Sequence, residues 1–128
     1  MARQHGVKGP TQRQLRVGEM IRHALAEIFM RSEIVDPEFD GHDVTITEVR
    51  VSPDLRNATI YAMPFGKGDA KALKAVLTRH QRFLRGELAK RVDLKYMPHL
   101  SFEIDDSFDK AERIEEILRS PGVRRDLD

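Results

Sequence analysis

An α+β sandwich, a small sheet with its helices gathered on one face, is the fold this sequence predicts. Three observations carry it. Two alternating, β-branched segments, "VTITEVRV" (44–51) and "ATIYAMPF" (58–65), stand a short turn apart. A long helical segment then returns the chain to a third alternating stretch, "LSFEI" (100–104). Apolar residues at helical spacing precede and follow this group. With 128 residues one domain is expected, because a second core would leave each half too little surface to bury against its own chain entropy.

Residues 1–10 hold Gly6, Gly9 and Pro10 with no apolar period, and read as a flexible basic arm. From Thr11 to Arg31, Val17, Met20, Ile21, Ala24, Leu25, Ile28 and Phe29 recur at helical spacing, with Arg13, Arg16 and Arg22 away from the centre of that face. "DPEFDGHD" (36–43) is a loop, since Pro37 biases Asp36 away from helix and Gly41 sits among turn formers. Between the first two strands, Ser52 and Pro53 in "SPDLRN" set a turn, so these strands form a hairpin. "GKGD" (66–69) connects to a helix over 70–92, for which Asp69 is the N-cap.

After that helix "YMP" leads into the third strand, where Leu100, Phe102 and Ile104 share one face and Ser101 and Glu103 the other. A last helix near 107–119 carries Phe108, Ala111, Ile114, Ile117 and Leu118 and stops at Pro121 and Gly122. Asp105, Asp106 and Ser107 are placed to cap it. The order is α-β-β-α-β-α, with the domain spanning 11–120 and a tail at 121–128.

Composition narrows the chemistry. The chain is 40% hydrophobic and 34% charged, as a soluble globular protein is, and it lacks cysteine, which removes disulfides, thiolate metal sites and a cysteine nucleophile. The N-terminus has no apolar core or cleavage site, and no window approaches the roughly 18 apolar residues of a membrane span, so a cytoplasmic protein with no membrane association is expected. The net charge of +1 conceals alternating blocks: +4 over residues 1–31, −5 over 32–66, +6 over 67–95 and −4 over 96–128. The positive blocks are where a polyanion would sit.

The second of those blocks lies on the long helix. Leu73, Leu77, Leu84 and Leu88 fall on one stripe, but the turn between Leu77 and Leu84 offers His80 and Gln81 instead. An unsatisfied buried polar group costs roughly 1–3 kcal/mol. A bend near 79–82, dividing the segment into two helices, resolves the conflict; the alternative is a straight helix whose end overhangs the sheet, with His80 and Gln81 at its edge. Opposite the stripe, Arg79, Arg82, Gly86 and Lys90 line one face with Arg85 beside them. Gly86 inside a helix gives up about 0.5–1 kcal/mol relative to Ala, which points to tight packing or to the approach of another backbone. Flanked by arginines, that bare spot suits a sugar-phosphate chain; a solvated face with incidental charge is the other reading.

Arg91 and Lys95 extend this block, and Arg3, Lys8, Arg13 and Arg16 join it if the ends of the fold converge. If about six of these neutralise phosphates, log K falls against log salt with a slope near −5 on duplex. Aromatic platforms for unpaired bases are few, namely Tyr61, Tyr96 and six Phe, so recognition of backbone and shape is favoured over reading of bases. Arg50 and Arg56 on the hairpin are lesser candidates.

Several blocks of the chain then resemble a known family, the bacterial ribosome-binding factor A proteins. The match runs from Arg13 to Arg119 and rests on the arginine-rich first helix, Asp36-Pro37, "VTITEVRVSPDLRNATIYAMP" (44–64), "FLRGELAKRVDLKYMPHLSFEIDDS" (83–107) and Arg113-Ile114. The resemblance implies a type II KH-like fold with a bent helix pair in place of the G-x-x-G loop, and this chain has no G-x-x-G. It implies a non-enzymatic assembly factor that binds the small (30S) ribosomal subunit and helps precursor 16S rRNA mature, particularly its 5′-end region, with importance for growth in the cold. No cofactor or metal is implied, and a monomer is expected. Family members carry Ala-x-Gly at the bend, where this chain has His80, Gln81 and Arg82, which adds positive charge there.

The expected site is therefore Arg79, Arg82, Arg85, Lys90, Arg91 and Lys95 on phosphates, supported by Arg13 and Arg16. Two other classes compete. An enzyme would need the acidic groups at Asp105, Asp106, Glu115 and Glu116, or "DGHD" (40–43), but no ligand pair stands at H-E-x-x-H spacing and no phosphate loop or nucleophile elbow occurs. A docking module for small-subunit ribosomal proteins would use the acidic hairpin region and the tail. His5, His23, His42, His80 and His99 are scattered, and Met20, Met30, Met63 and Met97 fill space rather than line a cofactor site.

Overall fold

Thr11 begins the first helix: its hydroxyl accepts from the Gln14 backbone N–H at 3.2 Å while the Gln14 side chain accepts from the Thr11 N–H at 2.9 Å, which satisfies two donors of the open helix end. The helix is α1 (Gln12–Met30), and its Gln14 amide also donates to the Val51 carbonyl at 2.8 Å, tying its start to the sheet. The computed structural model describes residues 9–31, 36, 44–64, 69–106 and 114–118. Strands β1 (Val44–Val51), β2 (Asn57–Pro64) and β3 (His99–Ile104) form one sheet in the order β1-β2-β3, with β1 antiparallel and β3 parallel to the central β2. Between β2 and β3 come α2 (Ala70–Arg79), capped by Asp69, and α3 (Gln81–Arg91).

One sheet face is the core. Ala58, Ile60 and Ala62 of β2 are fully buried, opposite Val51, Val49 and Ile46 of β1 on one side and Leu100, Phe102 and Ile104 of β3 on the other. Thr47 is an extra residue in this pairing: the register shifts between Ile46 and Glu48, so Val44 and Ile46 point inward before the bulge and Val49 and Val51 after it. Its hydroxyl donates at 2.5 Å to Asp105, just past the end of β3. That carboxylate was expected to cap a following helix; Ser107 lies outside the described residues, and Asp106 is exposed.

The hairpin turn closes at Ser52–Pro53 as the sequence implies, with the Leu55 N–H donating to the Ser52 carbonyl at 2.8 Å. Asp54 accepts from the Ser52 hydroxyl at 2.6 Å and from the Arg56 N–H at 3.1 Å, and these bonds, the hydroxyl first, hold its carboxyl below the ordinary aspartate value. Leu55 takes φ 62°, a left-handed conformation unusual without glycine, while its side chain packs against the core.

Helix α1 lies over β1, and α2 and α3 cover the β3 side. Val17, Ile21, Ala24, Leu25, Ile28 and Phe29 of α1 meet Leu73, Leu77, Leu84 and Leu88 in a single core, and among the described residues no charged or polar side chain is buried. Residues 114–118 are helical and exposed, with Ile114, Ile117 and Leu118 turned to solvent; the rest of the expected last helix, including Phe108 and Ala111, lies outside the described residues.

Candidate nucleic-acid interface

The long helix is broken where its stripe fails. His80 stands between α2 and α3 with φ −98° and ψ 15°, off the helical values, and Leu73 and Leu77 before it, and Leu84 and Leu88 after it, all face the core. The break lets both leucine pairs reach the sheet, as the bent reading requires, and the straight overhanging helix is set aside. Asp36, only 10% exposed at its side chain, holds the break from the far side of the chain. Its Oδ2 lies 2.8 Å from Arg79 Nη2 and 2.7 Å from His80 Nε2. Gln81 is turned toward the His99 ring at the start of β3, 3.4 Å away.

The cations expected to act together divide by what they touch. Arg82 is exposed and carries no ion pair among the described residues. Arg85 donates to the carbonyls of Pro98 at 3.2 Å and Met97 at 2.8 Å, which clamps α3 to the connector leading into β3, and it has no carboxylate partner among the described residues. Lys90 is 71% exposed and lies 2.9 Å from Glu87. Arg91 bridges two helices, with Nη1 3.0 Å from Glu87 on α3 and Nε 3.3 Å from Glu27 on α1. Glu87, 16% exposed, is thus held below the ordinary glutamate value by hydrogen bonds from Lys90 and then Arg91.

On α1, Arg13 and Arg16 are exposed and have no ion pair among the described residues, whereas Arg22 is taken by Glu19 through two bonds of 2.9 and 2.8 Å. Arg3 and Lys8 lie outside the described residues. A methyl built at Gly86 would meet no atom within 4 Å, so packing inside this chain does not account for the glycine. Phe83, beside Arg82, is partly exposed.

The cations expected from sequence are therefore not uniformly available, and they meet different neighbours: the Asp36 side of the bend, the connector into β3, and α1. Arg79, Lys90 and Arg91 hold carboxylates, Arg85 holds carbonyls, and Arg82 and Lys95 are exposed without an ion pair among the described residues. Glu87 was the signal available beforehand, since positions three and four before Lys90 and Arg91 meet on a helix. Asp36 was not, being more than forty residues away in sequence from both of its partners.

Two of the expected cations, Lys95 and Arg13, stand in a second group together with Arg56, a lesser candidate from sequence, and Tyr96. Lys95 lies 5.5 Å and Arg56 5.3 Å from the centre of the Tyr96 ring, and Arg13 lines the same cleft. On the open sheet face Arg50 sits 5.0 Å above the Tyr61 ring but is bonded to Glu48 at 2.7 Å. Among the described residues no cluster of three or more histidine or acidic side chains is arranged to hold a metal, and no helix is long and apolar enough to cross a membrane.

Comparison with known proteins places this arrangement. Residues 13–118 match the family model described as ribosome-binding factor A. The chain is 57% identical over 120 residues to the ribosome-binding factor A of Parvibaculum lavamentivorans, covering 94% of this chain and 86% of that one. It is 53% identical over 131 residues to that of Rhodopseudomonas palustris, covering 100% and 96%. Among solved structures, the crystal structure of ribosome-binding factor A from Thermus thermophilus superposes with a TM-score of 0.61 at 27% identity, over 71% of this chain and 94% of that one. Coordinates of the same Thermus thermophilus factor, as fitted into the cryo-electron microscopy map of a 30S complex, superpose at 0.55 and 28% identity over 70% and 91%. With the bent helix pair, the three-stranded mixed sheet and a sequence match along nearly its whole length, the chain belongs to the ribosome-binding factor A family.

Proposed function

We propose that this protein is an assembly factor that binds the small ribosomal subunit in the cytoplasm and assists late maturation of 16S rRNA, including its 5′-end region, with its importance greatest in the cold. The reading is one of binding, with no bond made or broken and no cofactor. Arg82 carries it: an exposed guanidinium without an ion pair among the described residues, at the bend between α2 and α3, where the family resemblance implies Ala-x-Gly. Lys90, Lys95, Arg13 and Arg16 are the further phosphate contacts, and Arg79, Arg85 and Arg91 contribute charge from positions they also hold for the fold. The neighbouring coordinates fitted into a 30S complex support the choice of partner.

The test is the binding of small subunits by the double variant Arg16→Glu, Arg82→Glu, at two exposed positions without an ion pair among the described residues. Weaker binding with a nearly unchanged melting midpoint is expected; unaltered binding would reject the assignment. The competing reading is docking on small-subunit proteins without direct rRNA contact, and protein-free 16S rRNA fragments separate the two. Salt-steep binding to the fragments supports RNA contact, and no binding to them supports docking.

A further inference from the structure

At the end of the sheet away from Asp105, the N-terminal turn of α1, the hairpin turn and the connector after α3 enclose a cleft of about 300 Å³. Three cations line it, Arg13, Arg56 and Lys95, and none of them has an ion pair among the described residues. Two of them rest near the face of one ring, Tyr96, which is 60% exposed although aromatic side chains ordinarily bury most of their area. The inner wall is apolar, formed in part by Val17 and Leu94. Leu55 shapes the same wall from its left-handed backbone, a strained conformation that the hairpin turn maintains.

The charges are mixed, which narrows the ligand. Asp54 and Asp93 also line the cleft, so a bare inorganic anion is poorly matched to it. A nucleotide fits each part. Its phosphate takes the cations, its base has a flat π-face for the ring and the apolar wall, and its exocyclic and ring N–H groups find carboxylate acceptors. The volume is at the low end of ordinary ligand sites and suits one nucleotide, not a duplex.

We infer that this cleft, built by Arg13, Arg56, Lys95 and Tyr96, seats a single unpaired nucleotide of an RNA strand, its base on the Tyr96 ring and its phosphate on the flanking cations. The inference rests on the RNA-binding reading above and adds to it a contact with a base. It places recognition at the hairpin and the α3–β3 connector, outside the helix bend. On binding, the base displaces the flexible Lys95 stem from the ring, and the freed ammonium turns to the phosphate.

The experiment uses the intact chain and a fluorescently labelled single-stranded hexaadenylate, read by anisotropy, with Tyr96→Ala, Tyr96→Phe and the parent compared. Loss of one base–aromatic stack should weaken binding about 5- to 150-fold in Tyr96→Ala. Tyr96→Phe, which keeps the ring, should bind as the parent does, and a blunt RNA duplex should be indifferent to both changes. Equal hexamer binding by Tyr96→Ala and the parent, with small-subunit binding intact, overturns the cleft assignment alone. Failure of the parent to bind any RNA or subunit overturns both this and the reading beneath it. Adenosine monophosphate competing as well as the hexamer would make the ligand a free nucleotide and overturn the assignment to a strand.

Discussion

Gly18 of α1 lies directly against the Val49 carbonyl of β1: a methyl built on it would stand 2.7 Å from that oxygen. Neither partner of this contact can retreat by a side-chain rotation, since one is helix backbone and the other is strand backbone. Gly18→Ala should therefore push α1 off the sheet and cost about 1–3 kcal/mol, as overpacking of a close-packed core does. Calorimetry would register this as a melting midpoint several degrees lower, and an unchanged midpoint would mean that the helix and strand do not approach this closely.

Gly86 should respond in the opposite sense. Its added methyl meets nothing within 4 Å, so Gly86→Ala should stabilise the chain by about 0.5–1 kcal/mol through the helix backbone alone. If RNA backbone closes on this spot, the same variant binds small subunits more weakly while melting higher. Higher melting with full affinity would show that the glycine serves no external contact.

Charge reversal should separate the exposed cations from those the fold employs. Arg91→Glu breaks the bridge from α3 to Glu27 of α1 and sets a second acid beside Glu87, so its midpoint should fall by several degrees. Arg82→Glu breaks no ion pair among the described residues and should leave the midpoint in place while weakening subunit binding. A pair of melting curves with a pair of binding curves decides it; equal destabilisation by both would contradict the separation.

The salt dependence should also be shallower than the full cation count implies. Of the cations proposed for the small subunit, Arg13, Arg16, Arg82 and Lys95 are exposed and have no carboxylate partner among the described residues; with these four as the phosphate contacts, the slope of log K against log salt should be about −3.6 on duplex and about −2.8 on single strands. A slope near −5 on duplex would mean that paired cations such as Lys90 and Arg91 exchange their carboxylates for phosphate.

Glu87 supplies a pH dependence. Because Lys90 and Arg91 hold its folded pKa below the ordinary value of 4.5, its contribution is complete above that value and is lost as the pH falls through the lowered one. The parent should melt above Glu87→Gln at pH 7, and the two midpoints should converge as the pH drops below 4.5. Parallel curves throughout would remove Glu87 from the account.

Local pattern made much of this fold legible. The leucine stripe and its failure at His80 and Gln81 announced the bend, Asp69 announced the start of α2, and Ser52-Pro53 announced the hairpin. Contacts made across the chain were not legible. Nothing near Arg79 in sequence points to Asp36, and nothing near Tyr96 points to Arg56, so the charge of the basic block could be counted but its partners could not be assigned. Glu87 was legible from its spacing and was passed over. The bulge at Thr47 lay hidden because "VTITEVRV" alternates well enough to pass for a regular strand.

Without Thr47 the same strand would read Val-Thr-Ile-Glu-Val-Arg-Val, a flawless alternation with identical faces, so the residue is surplus to patterning. It sits on a strand that is outermost among the described strands, where a regular edge would offer a second molecule a straight template to zip onto. The kink spoils that template, and the stitch to Asp105 keeps it spoiled. A protein crowded against copies of itself gains protection from fibrous self-association through one threonine that its sheet could have done without.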